Sequence, residues 1–222
     1  MESPVMTLLS FLLALIAFLY GAAALFRKKT PLYFQLIVCA AGCYALEELC
    51  SFVTDLCGGF EYPITVSVFG SFGCFFFLLS ANYGQLDGVV DDGAPENKKF
   101  RCLSLLAPLF FGGFLLFCLL FLYRSYGAFA ALVMAAVYAP LLFASYYNLK
   151  HLLIPIDSFG FLKTTRLYNG TALLFYLAHL LYLVAFIFRP SAVTVFSVVI
   201  SCTLLGMIAA GVKGAKLWKT LI

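Results

Sequence analysis

The sequence predicts an all-α fold: a polytopic membrane protein of seven transmembrane helices, N-terminus outside and C-terminus cytoplasmic, forming one domain over residues 1–222. Composition is the first ground. Hydrophobic residues make up 64% of the chain and charged residues 11%, with a mean hydropathy of +1.04; a water-soluble domain of this size would lack the polar surface to cover its core. Segmentation is the second. Apolar runs long enough to span a hydrocarbon core about 30 Å thick recur over residues 5–26, 32–57, 62–84, 102–123, 126–149, 167–188 and 190–212. The third is charge placement. Arg27, Lys28, Lys29, Lys98, Lys99, Arg101, Lys150, Lys163, Arg166, Lys213, Lys216 and Lys219 fall on one side of these spans, and only Arg124 and Arg189 on the other. The positive-inside rule makes the first side cytoplasmic. The net charge of +4 is therefore a topology signal that requires no nucleic acid and no acidic partner.

The first span has no basic residue before its apolar run and three positives after it, the reverse of a cleavable signal peptide. It carries almost no polar group and is expected to face lipid. The second span sets Glu47 and Glu48 inside PLYFQLIVCAAGCYALEELCSFVTDLC. Ionisable groups at membrane depth are costly and by default face a bundle interior or a wetted cavity. At about 1.5 Å per residue they lie roughly 22–24 Å along the helix from Leu32. A rotation of about 100° per residue gathers Glu48, Ser51 and Asp55 into one sector, with Glu47 and Thr54 on its flank.

The third span aligns Ser67, Ser71 and Cys74, and Gly70 and Gly73 permit close approach of a neighbouring helix. The connection over residues 85–101 is long and cytoplasmic, acidic first and basic after; it is expected to be a solvated loop, with docking of a partner protein as the other reading. Phe and Leu dominate the fourth span, with Pro108 and Gly112-Gly113 as bend points, which suits a peripheral linker helix. In the fifth, Gly127, Ala131, Ala135 and Ala139 form a small-residue ridge suited to helix packing. Pro140 interrupts that helix, and Tyr146, Tyr147 and Asn148 read as interfacial anchors.

The sixth span places His179 about 18 Å from its cytoplasmic end, near the depth of Glu47. Tyr176 and Tyr182 flank it, while Tyr168 and Phe175 share a direction. The seventh aligns Ser191, Thr194, Ser197 and Ser201, of which Ser197 and Ser201 reach the same depth.

The third span opens PITVSVFGS from Pro63 and the seventh PSAVTVFSV from Pro190, while the second and sixth open with Leu32-Tyr33 and Leu167-Tyr168. These matches suggest a three-plus-one-plus-three parallel repeat with a site between its halves. The layout and orientation resemble those of the sugar-transporting three-plus-one-plus-three family with Pro-Gln loops, although this chain has no Pro-Gln pair. The segment FYLAHLLYLVAF, residues 175–186, resembles part of the lysoplasmalogenase-type membrane hydrolases.

Other seven-helix chemistries lack their residues. Lys213 lies too near the cytoplasmic end for a retinal Schiff base, and SANYGQLD at the end of the third span has no acidic-arginine-aromatic switch. Zinc-dependent membrane hydrolases need several histidines, whereas only His151, placed near the surface, and His179 are present. Seven of the eight cysteines (Cys39, Cys43, Cys50, Cys74, Cys102, Cys118 and Cys202) lie in apolar runs, with Cys57 near the outer surface and no CxxC. They are expected to be structural thiols. No cofactor or metal is expected.

The leading functional expectation is a small-solute or proton-coupled transporter of a plasma or inner membrane, with the lipid bilayer and a polar or cationic solute as partners. Its candidate ligand- or proton-binding residues are Glu47, Glu48, Asp55, Ser67, Ser71, Tyr176, His179, Tyr182, Ser197 and Ser201. A seven-helix receptor or sensor signalling to a separate cytoplasmic protein is the alternative, and a membrane hydrolase a second one.

Overall fold

A computed structural model describes residues 4–26, 30–58, 65–83, 87–91, 93–155, 159–189 and 192–221. All regular structure among them is helical: α1 (Pro4–Leu25), α2 (Leu32–Leu56), α3 (Val68–Ala81), α4 (Asp87–Val90), a 3-10 turn (Pro95–Asn97), α5 (Lys98–Ser104), α6 (Leu106–Leu153), α7 (Phe159–Phe188) and α8 (Val193–Leu221). Five helical stretches are long and apolar enough to cross a membrane, and α3 is a shorter apolar helix. This is the build of an integral membrane protein. Large side chains such as Leu109, Phe129 and Phe143 point outward, each more than 60% exposed, as expected where the surrounding solvent is hydrocarbon.

The sequence separates spans at residues 102–123 and 126–149, whereas the structure joins them in α6, 48 residues long. A straight helix of that length would reach about 72 Å, more than twice the hydrocarbon thickness. It does not run straight. Gly127 has φ 86° and ψ 178°, a conformation essentially restricted to glycine, and the chain turns back there. An added Cβ on Gly112 would lie 3.9 Å from Leu142, so positions fifteen residues either side of Gly127 meet and the arms, residues 106–126 and 128–153, lie side by side. The expected interruption at Pro140 does not occur: helix continues through it.

Around the bundle, α1 packs on α2, α2 on α3, α3 on α6, α6 on α7, α7 on α8, and α8 back on α1. The ring closes. The second arm of α6 lies in it, with Tyr138 against Phe75 of α3 and against the His179 backbone of α7. The first arm buries one stripe, Ala107, Phe111, Leu115, Cys118 and Leu122, and leaves Phe110, Leu116 and Leu120 exposed. Its place is peripheral.

Small residues set the tightest seams. Gly21 of α1 lets Val38 of α2 and Ile208 of α8 approach to within 3.0 and 3.1 Å of where a Cβ would stand. On α3, Gly70 faces Glu47 and Cys43, and Gly73 faces Cys43. The ridge of Gly127, Ala131, Ala135 and Ala139 is not such a seam: Gly127 is exposed and the alanines are half-buried. The buried face of that arm carries Ala130, Met134, Val137, Tyr138 and Leu141 instead.

Candidate functional site

A cavity of about 310 Å³ lies inside the ring, walled by α1, α2, α3, the second arm of α6, α7 and α8. The α2 stripe supplies one wall. Glu47, Glu48, Ser51, Thr54 and Asp55 all line the cavity, as their helical spacing requires once one face turns inward. Thr65, Ser67 and Ser71 line it beside them, together with Tyr138, His179, Tyr182 and Ser197. Among the described lining residues there are three carboxylates and one imidazole, and no lysine or arginine.

Eight of the ten candidate residues thus come together: Glu47, Glu48, Asp55, Ser67, Ser71, His179, Tyr182 and Ser197. Tyr176 and Ser201 do not reach the cavity. Tyr176 donates to Asn148 Oδ1 at 3.0 Å, and Ser201 pairs with the Ser10 hydroxyl at 2.8 Å across the α1–α8 seam. Both lie about one turn deeper than the wall residues of their own helices, His179 and Ser197. The cavity ends between these levels.

The two glutamates have different surroundings. Glu48 is only 5% exposed, and its Oε1 accepts a 2.5 Å hydrogen bond from Tyr44 one turn earlier. Glu47 Oε1 accepts from Ser71 of α3 at 2.6 Å, but its Oε2 is buried without a partner. His179 is 2% exposed and clamped edge-to-face by Tyr44, Phe75 and Phe175, with centroids 5.5, 4.9 and 4.3 Å away. Its Nδ1 lies 2.9 Å from the Phe175 carbonyl. A carbonyl only accepts, so Nδ1 carries the hydrogen and Nε2 presents a lone pair. That Nε2 is also buried without a partner. Of five such buried side-chain atoms among the described residues, three belong to the cavity wall: Glu47 Oε2, Asp55 Oδ2 and His179 Nε2. Buried polar atoms are nearly always paired, so their concentration here marks a place built to receive something polar.

Beneath His179 the bundle is closed by Phe75, Phe175 and Tyr176, all fully buried. Next comes a layer of amides. Asn148 donates to Asn169 Oδ1 at 2.7 Å and exchanges longer contacts of 3.4 Å with Asn82, which itself donates to the Leu78 carbonyl at 2.8 Å. All three asparagines are 0% exposed, so Asn148 is a buried node and not an interfacial anchor. The sequence carried one signal for this layer. Asn82, Asn148 and Asn169 stand within three residues of the predicted span ends at 84, 149 and 167, which the expected topology puts at one level.

The segment after α3 is not a solvated loop in its described part. Arg101 grips Asp91 through Nε and Nη2 at 2.7 and 2.6 Å, a bidentate pair. Lys150 bridges Asp87 and Asp91, lying 3.2 Å from the latter, and His151 Nε2 is 3.0 Å from Asp87. His151 is 0% exposed, in contrast to the surface position expected for it. The Arg101 hydrogen bonds hold the Asp91 carboxyl well below the usual carboxylate range; partial burial opposes them, and the Gly93 N–H and Lys150 assist. Burial alone would raise Asp87, but hydrogen bonds from His151 and Lys150 outweigh it and lower its pKa.

The chain matches no family model, no curated protein and no solved structure.

Proposed function

We propose that this protein carries a small polar or cationic solute across a plasma or inner membrane, through seven crossings with the N-terminus outside. The two arms of α6 are the fourth and fifth crossings, folded back at Gly127. The observation that carries the reading is the cavity's one-sided closure. Its polar wall extends along α2 to Asp55 and across to Thr65, just before α3, whereas the other direction is shut by aromatic rings, the amide layer and the ion cluster. Such an arrangement is one half of an alternating-access cycle, with the site held between two halves of a bundle.

The neighbour pattern supports two similar halves, α1–α3 and the second arm with α7 and α8, joined by the peripheral first arm; the backbone of α2 also comes close to that of α8, an approach that the image pair, α7 with α3, does not match among the described residues. Exchanging the halves maps α1·α2 onto α6·α7, α2·α3 onto α7·α8, and α1·α8 onto α6·α3. On the Leu32-Tyr33 and Leu167-Tyr168 register, Tyr44 corresponds to His179, and these rings face each other at 5.5 Å.

Flux into proteoliposomes tests the reading. Uptake by the native chain should be lost when Glu47 and Glu48 are both replaced by Gln; uptake that survives the double change removes those residues from the pathway. Ligand binding without any flux would favour a receptor.

A further inference from the structure

The unpartnered atoms of the cavity share one property: each can accept a hydrogen bond, the two carboxyl oxygens in the ionised form of their acids. Glu47 Oε2 is a carboxylate oxygen whose twin is already occupied by Ser71. His179 Nε2 is left as a lone pair because Nδ1–H is committed to the Phe175 carbonyl. Asp55 Oδ2, two turns further along α2 and about 12 Å from Glu47, lines the same cavity and is likewise buried without a partner. We propose that the cavity recognises the primary ammonium group of a small amine, with Glu47 and His179 as the acceptors that hold it. The assignment rests on the reading of this cavity as a solute site, but not on solute being moved.

Ligand classes separate on donors and charge. A primary ammonium brings three N–H donors and a positive charge, which meets both the orphan acceptors and the excess of carboxylates. An anion would face those carboxylates with no lining lysine or arginine to balance it. A neutral polyol would satisfy acceptors while leaving the charge uncompensated. A quaternary ammonium supplies charge but no hydrogen, so both orphans would stay unpaired, and leaving buried acceptors unmade costs binding. Tyr138, Tyr182 and Phe186 line the same space, and aromatic residues suit a cation and its apolar stem. A volume of about 310 Å³ stands at the small end of ligand pockets. Asp55, towards the end of α2, is the acceptor an entering amine meets first.

Equilibrium titration of the full chain in lipid nanodiscs with butylammonium, tetramethylammonium and butyrate tests this. Butylammonium should bind saturably, tetramethylammonium about tenfold more weakly or worse, and butyrate not at all. Glu47→Gln and His179→Phe should each weaken butylammonium about tenfold, while His179→Gln, which keeps an amide acceptor, should retain most of the affinity. Absent butylammonium binding, equal affinity for the two cations, or unchanged affinity in Glu47→Gln would overturn the proposal. The cation comparison uses the native chain, so it decides even if a variant misfolds. Butylammonium that binds but never crosses proteoliposomes would sink transport and leave this assignment standing. Glu47-dependent flux of another solute with no butylammonium binding would do the reverse.

Discussion

Ser71 reaches from α3 to α2 and donates its hydroxyl hydrogen to Glu47 Oε1 at 2.6 Å, and the residue beside it, Gly70, is what permits the reach. The bond occupies one oxygen of Glu47 and leaves the other buried without a partner in a residue that lines the cavity. Helix spacing at this seam therefore decides how an acid is presented.

Gly70→Ala would put a methyl 2.5 Å from Glu47 Cβ and 2.8 Å from the Cys43 carbonyl. Neither is the free end of a flexible side chain, so α2 and α3 must part. Overpacking of this kind costs about 1–3 kcal/mol. Unfolding in detergent should show that loss, and uptake should fall with it, whereas Gly170→Ala, with open space around its Cβ, should leave both near native.

Asn148 of α6 accepts from Tyr176 and donates to Asn169, both on α7, and exchanges 3.4 Å contacts with Asn82 at the end of α3. Asn148→Leu would orphan Tyr176 and Asn169 in the bundle interior. The cost expected is about 1–3 kcal/mol, read as a lowered unfolding midpoint. A change below the error of that measurement would mean that the amide layer relaxes around the substitution.

Asp91 is the member of the ion cluster held furthest below its ordinary range. Its folded pKa lies below the ordinary value near 3.9, so its contribution to stability is complete above that range and is lost as pH falls through the folded value. The stability gap between the native chain and Asp91→Asn should hold steady from about pH 7 to 5, begin to narrow below about pH 4 and go on closing as pH falls towards the folded value. Unfolding followed across that range checks it; a gap independent of pH would place the effect in packing.

Much of the cavity was legible because charge in an apolar helix is a loud signal. The 100° rotation that put Glu48, Ser51 and Asp55 on one face held for the whole stripe, and the depth count brought His179 to it. Tyr176 and Ser201 show where that logic stops. Periodicity assigns a residue to a face, but the level at which a cavity closes depends on which aromatic rings meet across it, here Phe75 with Tyr176 and Phe175. The amide layer was quieter still, since an uncharged Asn at a span end is indistinguishable from an interfacial one until its partners are known. Position 127 reads as a packing glycine because the lack of a side chain is visible in sequence and the positive φ is not.

The clasp between Ser10 and Ser201 joins the first long helix to the last. During synthesis almost the whole chain must emerge before that seam can form, so the enclosure around Glu48 is completed last. Until then Glu48 has Tyr44 of its own helix and Glu47 has Ser71 of α3, but the wall that α8 supplies through Ser197 and Ile200 is missing, so a truncation after α7 would leave the acids in a cavity open on that side.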